Sequence, residues 1–94
     1  LGSGYGIYRG TNLRWAVLRF TAEAALWVRA EAWHPKQEGR VLDDGRYELR
    51  LPYSQSQELE MDILRHGEQV EVVSPASLRK RIADRLAAAA AAYR

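Results

Sequence analysis

The chain has 94 residues, 47% of them hydrophobic and 28% charged, with no cysteine and a formal net charge of +2. That length holds one domain with a modest core, and the mixture is globular rather than disordered. The lack of cysteine excludes a disulfide framework, a thiolate nucleophile and a cysteine-based zinc site.

The opening LGSGYGIYRG is rich in glycine. Its spacing does not match the dinucleotide fingerprint, which follows a strand and opens a helix, whereas this stretch precedes a strand. Tyr5, Ile7 and Tyr8 alternate with small residues, so residues 1–12 read as an interdomain linker whose aromatics dock elsewhere. The folded domain is expected over residues 13–94.

RWAVLRF, Arg14 to Phe20, predicts the first strand. Ala16, Leu18 and Phe20 share one face and Trp15, Val17 and Arg19 the other, a pattern suited to a central position. Thr21 is placed to cap a helix with Glu23 in its first turn. That helix is expected to run through TAEAALWVRAEAW, burying Ala24, Ala25, Val28 and Ala32. A short strand around Arg40 to Leu42 leads into Asp44-Gly45, a hairpin signal. The next strand alternates Tyr47, Leu49, Leu51 and Tyr53 with Arg46, Glu48, Arg50 and Pro52, predicting one buried and one wet face. Ser54 with Gln57 fits a capping box opening a second helix, with Leu59, Met61, Ile63 and Leu64 on its apolar side and Gly67 at its stop. Gln69 to Ser74 predicts the fourth strand. Pro75 breaks the chain, and Ser77 is placed to cap a third helix reaching about Tyr93, with Leu78, Ile82, Leu86, Ala89 or Ala90, and Tyr93 at helical spacing. Its six consecutive alanines, Ala87 to Ala92, suit either a stable tail or a surface for another helix.

Strand, helix, hairpin, helix, strand is the split βαβ order of α+β ferredoxin-like sandwiches, βαββαβ. The expected architecture is a four-stranded antiparallel sheet with two helices on one face and an extra C-terminal helix.

Charge is unevenly distributed. Residues 1–20 hold Arg9, Arg14 and Arg19 without an acid; residues 79–94 hold Arg79, Lys80, Arg81, Arg85 and Arg94 against Asp84; the stretch between is acidic. Two readings stand: solvated charges on separate faces, or one basic surface where the ends meet.

Little in the chain points to catalysis. The two histidines, His34 and His66, have no metal-ligand spacing, and nothing resembles a nucleophile elbow. Asp43-Asp44 sits at a turn, where carboxylates bond the backbone. A phosphatase of this architecture wants a backbone nest after the first strand, and RFTAEAA has no glycine there. RYELRLPY lacks the Gly-aromatic rhythm of sheet-type RNA binders, although Trp15 has the shape to stack a base. No catalytic residue, metal ligand or cofactor is therefore assigned.

Taken in order, GYGIYRG, a strand ending in RF, EAALWVRAEAWHPKQ, LDDGRYELRLPY and ELEMDILRHGEQVEVVSPASLRKRIADRL resemble the C-terminal extension (WCX) domain of bacterial WYL-domain transcriptional regulators. The resemblance spans residues 4 to 93. It rests on the combination of Trp33-His34-Pro35-x-Gln37, the Asp44-Gly45 hairpin and Gly67…Val70-Glu71-Val72…Pro75…Leu78-Arg79. In that family a winged helix-turn-helix binds DNA, a WYL domain senses ligands including single-stranded DNA or nucleotide signals, and the extension takes part in dimerisation. The resemblance implies a cytoplasmic fragment of such a regulator without the DNA-reading part, a partner to the WYL and winged helix-turn-helix domains of its parent chain and to a second copy of itself, with no membrane partner.

The expected role is therefore non-enzymatic: dimerisation and relay of ligand sensing in transcription regulation. Interface candidates are Tyr5, Ile7 and Tyr8, and Leu86, Ala89, Ala90 and Tyr93. The alternative is direct binding of single-stranded nucleic acid or nucleotide by Arg9, Arg14, Arg19, Arg79, Lys80 and Arg81. Trp33, His34, Pro35 and Gln37 are expected to form a structural corner, with Trp33 on the sheet edge, Pro35 ending the helix, and His34 and Gln37 satisfying backbone groups. The other reading of His34, Lys36 and Gln37 is a face turned toward the WYL domain or its ligand.

Overall fold

The computed structural model describes residues 13–94. In chain order the elements are β1 (Arg14–Phe20), α1 (Ala22–Val28), β2 (Glu38–Val41), β3 (Tyr47–Tyr53), α2 (Ser56–Leu64), a single 3-10 turn at Gly67–Gln69, β4 (Val70–Ser74) and α3 (Ala76–Ala91). The fold is α+β, one antiparallel sheet of four strands in the order β2-β3-β1-β4.

Alternation in β1 and β3 sets the core. Ala16, Leu18 and Phe20 are fully buried beside Leu49 and Leu51, and the pairing runs unbroken from Arg14 opposite Tyr53 to Phe20 opposite Tyr47. On the other side of β1 the register to β4 shifts between Val17 and Leu18, so Val17 faces Ser74 and Leu18 faces Val72. One extra residue in β4 absorbs the shift as a bulge. All three helices add to this single cluster: Ala24, Ala25 and Val28 from α1, Leu59 and Ile63 from α2, and Leu78 and Ile82 from α3.

The hairpin follows its sequence signal. Gly45 takes φ +90°, which suits glycine, and Asp44 Oδ1 accepts the Arg46 backbone N–H at 3.1 Å. Thr21 caps α1 by accepting the Ala24 N–H at 3.2 Å, and its hydroxyl donates to Gln69 Oε1 at 2.8 Å, tying α1 to the start of β4.

Four expectations are corrected. First, α1 ends at Val28, and Ala32 is exposed. The chain tightens through Ala30 N–H to Trp27 O and Glu31 N–H to Val28 O, which frees Trp33 to bury itself against Phe20. Tertiary burial of an indole outweighs the helix propensity of the alanines. Second, β3 has no wet face: Glu48 and Pro52 are buried, and within the strand only Arg50 is exposed. Third, neither serine expected as a cap is one. Pairing of Tyr53 with Arg14 prolongs β3, so α2 opens after Gln55; α3 opens after Pro75, which puts Ser77 inside the first turn. Neither Gln55 nor Pro75 supplies a side-chain cap bond. Fourth, Met61 lies 65% exposed rather than in the core.

Candidate functional site

The sheet face opposite the helices holds an ion cluster. Glu48, 1% exposed, accepts from Arg19 Nε at 3.1 Å and Arg50 Nε at 3.0 Å, with Arg40 Nε at 3.5 Å from the strand beside it. Burial pushes the Glu48 carboxyl up; the hydrogen bonds from Arg50 and Arg19 and the charges of Arg40 and Arg50 outweigh it and hold the group below the ordinary carboxylate range. Trp15, 46% exposed, lies opposite the buried Pro52 on the same face.

The Trp33–Gln37 corner is a bracket built by one amide. Gln37 Oε1 accepts the backbone N–H groups of Trp33 and His34, and its Nε2 donates to Glu31 O at 3.0 Å. His34 Nδ1 accepts the Lys36 N–H at 2.9 Å. Trp33 lies inside the core rather than on the sheet edge: its ring meets Phe20 edge-on at 5.8 Å and stacks on His66 at 5.6 Å. Pro35 follows the end of α1 by several residues and is exposed.

The last helix leaves the core partway along. Leu78 and Ile82 are buried, Leu86 is 39% exposed and Tyr93 is 92% exposed. Leu86, Ala89, Ala90 and Tyr93 line an apolar cleft of about 350 Å³ floored by Gly67 and Glu68. The inner part of α3 is tied to α2 through Glu60, which is 2% exposed and accepts from Arg81 Nε at 2.6 Å and Arg85 Nη1 at 3.4 Å. Burial raises the Glu60 carboxyl, but hydrogen bonds from Arg81, Ser56 and Arg85 and the Arg81 charge bring it below its ordinary value.

Among the described residues, several basic side chains of the two chain ends are taken up by acids of the chain itself. Arg19 serves Glu48, Arg79 Nη1 bonds Glu71 Oε2 and Val72 O, each at 2.8 Å, and Lys80 pairs with Asp84 along α3. Arg14 and Arg81 do converge, on a cleft of about 520 Å³. Tyr5, Ile7, Tyr8 and Arg9 lie outside the described residues.

A family model for the WCX domain matches residues 12–90. The chain belongs to the WCX domain family. No curated protein matches it. Family membership makes this a regulatory accessory domain found in the context of WYL domains. Among the described residues of this WCX domain there is no group of three or more His, Cys, Asp or Glu able to hold a metal ion, and no helix long and apolar enough to cross a membrane.

Sequence reasoning missed Glu48, Glu60 and the place of Ser54 and Ser77 on the cleft that Arg14 and Arg81 line. Alternation assigns Glu48 to solvent, and no local signal says that β1 and β2 bring guanidiniums to both its sides. Ser54 and Ser77 carry the residue type of a cap, and only the backbone register shows that the helices open elsewhere.

Proposed function

We propose that this WCX domain is a non-enzymatic regulatory module that assembles two copies of its parent regulator and relays ligand sensing from the WYL domain to the DNA-binding part. The strand order β2-β3-β1-β4, with α1 and α2 as crossovers, supports a ferredoxin-like build for the module. The observation that carries the assembly reading is the outer half of α3, whose apolar stripe of Leu86, Ala89, Ala90 and Tyr93 continues past the last residue buried in this chain's own core. Tyr93 gives the stripe an aromatic residue and the stripe itself carries no charge, as at an interface centre, while Ala89 and Ala90 leave room for a second helix to approach closely. Two copies of α3 laid together would cover it on both chains. The context is a cytoplasmic regulator, with the parent's WYL and winged helix-turn-helix domains as partners in the same chain.

Sedimentation velocity of the chain over a wide concentration range tests the assembly. The expected result is a monomer–dimer equilibrium, abolished by Leu86→Glu and weakened by Tyr93→Ser, with the circular dichroism of both variants intact. A chain that stays monomeric at the highest concentration, or a dimer indifferent to both substitutions, refutes the assignment. For relay, the same substitutions in an intact WYL regulator carrying this domain are expected to abolish ligand-dependent operator binding while leaving WYL ligand binding in place.

A further inference from the structure

Where β1 begins and α2 and α3 open, the cleft of about 520 Å³ is lined by Arg14, Tyr53, Ser54, Ser56, Ser77 and Arg81, with Leu13 and Leu78 as its apolar wall. We propose that this cleft is a binding site for the phosphate group of a small phosphate monoester. The proposal goes beyond assembly and relay, and it rests on a face of the domain that the α3 stripe does not use.

Several independent features point to an oxyanion. Arg81 spends its Nε on Glu60 and Arg14 makes a 3.4 Å bond from Nη1 to Ser77 Oγ, an arrangement that holds two guanidiniums over one cleft. Guanidiniums and hydroxyls meeting from different elements suit a tetrahedral group with three terminal oxygens better than a flat carboxylate. The lining is cationic: it holds Arg14 and Arg81 and no carboxylate, and Glu60, which pairs with Arg81, also takes Arg85 outside the cleft. Ser54 Oγ is the one buried side-chain oxygen or nitrogen among the described residues without a hydrogen-bond partner. An orphaned buried hydroxyl is a cost that a native structure ordinarily removes, and Ser54 belongs to the lining of this cleft. At neither of the helices that open beside the cleft does the N-cap residue, Gln55 or Pro75, cap the first-turn backbone donors with its side chain, and in those first turns Ser77 stands over the cleft while Ser56 bonds Glu60.

The volume argues for an ester rather than for free phosphate. A cleft of about 520 Å³ is within the range of small-molecule sites, roughly 300–1,000 Å³, and far larger than one phosphate group. Leu13, 44% exposed, stands beside it as an apolar wall for an organic moiety.

The test is a two-dimensional NMR titration of the whole chain with adenosine 5′-monophosphate, adenosine and inorganic phosphate at constant ionic strength. The monophosphate is expected to give saturable shifts centred on Leu13, Ser54 to Ser56 and Ser77 to Arg81. Adenosine is expected to give none, and inorganic phosphate to bind more weakly at the same amides. Arg14→Gln is expected to weaken the monophosphate about tenfold or more, the loss of a bond to a charged group. Ser54→Ala separates a site from a packing defect: it is expected to weaken binding roughly threefold to tenfold while leaving the melting temperature unchanged or raised. Lys80→Gln, which removes a charge paired with Asp84 away from the cleft, is expected to change nothing. The proposal is overturned by the absence of saturation at about 10 mM, beyond the weakest useful affinity; by adenosine binding as tightly as its monophosphate; or by equal losses in Arg14→Gln and Lys80→Gln. Equal affinities for inorganic phosphate and the monophosphate overturn the ester assignment.

Discussion

Replacing Glu48 with Gln tests whether the ion cluster on the open sheet face holds the sheet together or merely decorates it. The carboxylate is 1% exposed and receives two hydrogen bonds, from Arg19 and Arg50, and a third contact from Arg40, so it links β1, β3 and β2. Each hydrogen bond to a charged group contributes roughly 1.5–3 kcal/mol when shielded. Here the guanidinium side chains are 37%, 51% and 68% exposed, which lowers the figure to about 1 kcal/mol per bond. Glutamine keeps one acceptor but turns an amide N–H₂ toward a guanidinium, so the expected loss is about 2 kcal/mol. For a domain of this size that is a fall in melting temperature of about 8–16 °C. Urea unfolding followed by tryptophan fluorescence is the assay, repeated across pH. The sign is fixed by the depressed carboxyl: its folded pKa lies below its unfolded value, so the stabilisation is present above the unfolded value, about 4.3, and disappears as pH falls through the folded one. The wild-type chain should therefore lose stability in acid more steeply than Glu48→Gln. A loss below about 0.5 kcal/mol at neutral pH, typical of a surface pair, together with parallel pH profiles, would refute the reasoning.

Gln37→Ala removes the acceptor of two backbone N–H groups and a donor to Glu31 O; a loss of about 2–3 kcal/mol is expected in urea unfolding, against little change for the exposed Pro35→Ala. Gly39→Ala places a methyl group on the Tyr47 ring, which is buried and has no room to swing away; a loss of about 1–3 kcal/mol is expected, with the shift of β2 visible in the amide spectrum. Glu60→Gln frees Arg81 and Arg85 and is expected to speed hydrogen exchange in α3 while leaving β1 and β3 protected. Because the Glu60 carboxyl is also held low, that exchange in the wild-type chain should itself quicken as pH falls through the folded value, after correction for intrinsic rates.

What the sequence makes legible is local. Period-two alternation finds β1 and β3, the Asp44-Gly45 pair finds the hairpin, and Thr21 finds the start of α1, because each signal acts within a few residues of its effect. The failures come from contacts distant in sequence. Pro52 reads as a wet position until Trp15 is seen opposite it, and Ala32 reads as helix until Trp33 is seen on Phe20 and His66. Ser54 reads as a cap until the pairing of Tyr53 with Arg14 delays α2. The cleft that gathers Arg14 and Arg81 is least legible of all, since its walls come from β1, the end of β3 and the openings of two helices.

The fate of the basic C-terminus follows from the same distinction. Counted along the chain, the residues from Arg79 onward form a cationic run; folded, they divide by helical position. Arg79 turns back to β4 and bonds the Glu71 carboxylate and the Val72 carbonyl, while Lys80 is matched by Asp84 one turn on. Arg81 and Arg85, one turn apart on the same side, share Glu60 of α2. Only Arg81 of these also reaches the cleft, because Leu78 and Ile82, to either side of it on the helix, are the residues that seat α3 against the core. The apolar anchor thus decides which cation faces the cleft, and Glu60 holds that cation in place. Beyond Arg85 the helix has neither anchor nor partner carboxylate among the described residues, and its exposed stripe of alanines with Leu86 and Tyr93 is left for another chain. One helix therefore carries two separable roles, an ionic one in its first half and an apolar one in its second, and substitutions in either half should leave the other's binding intact.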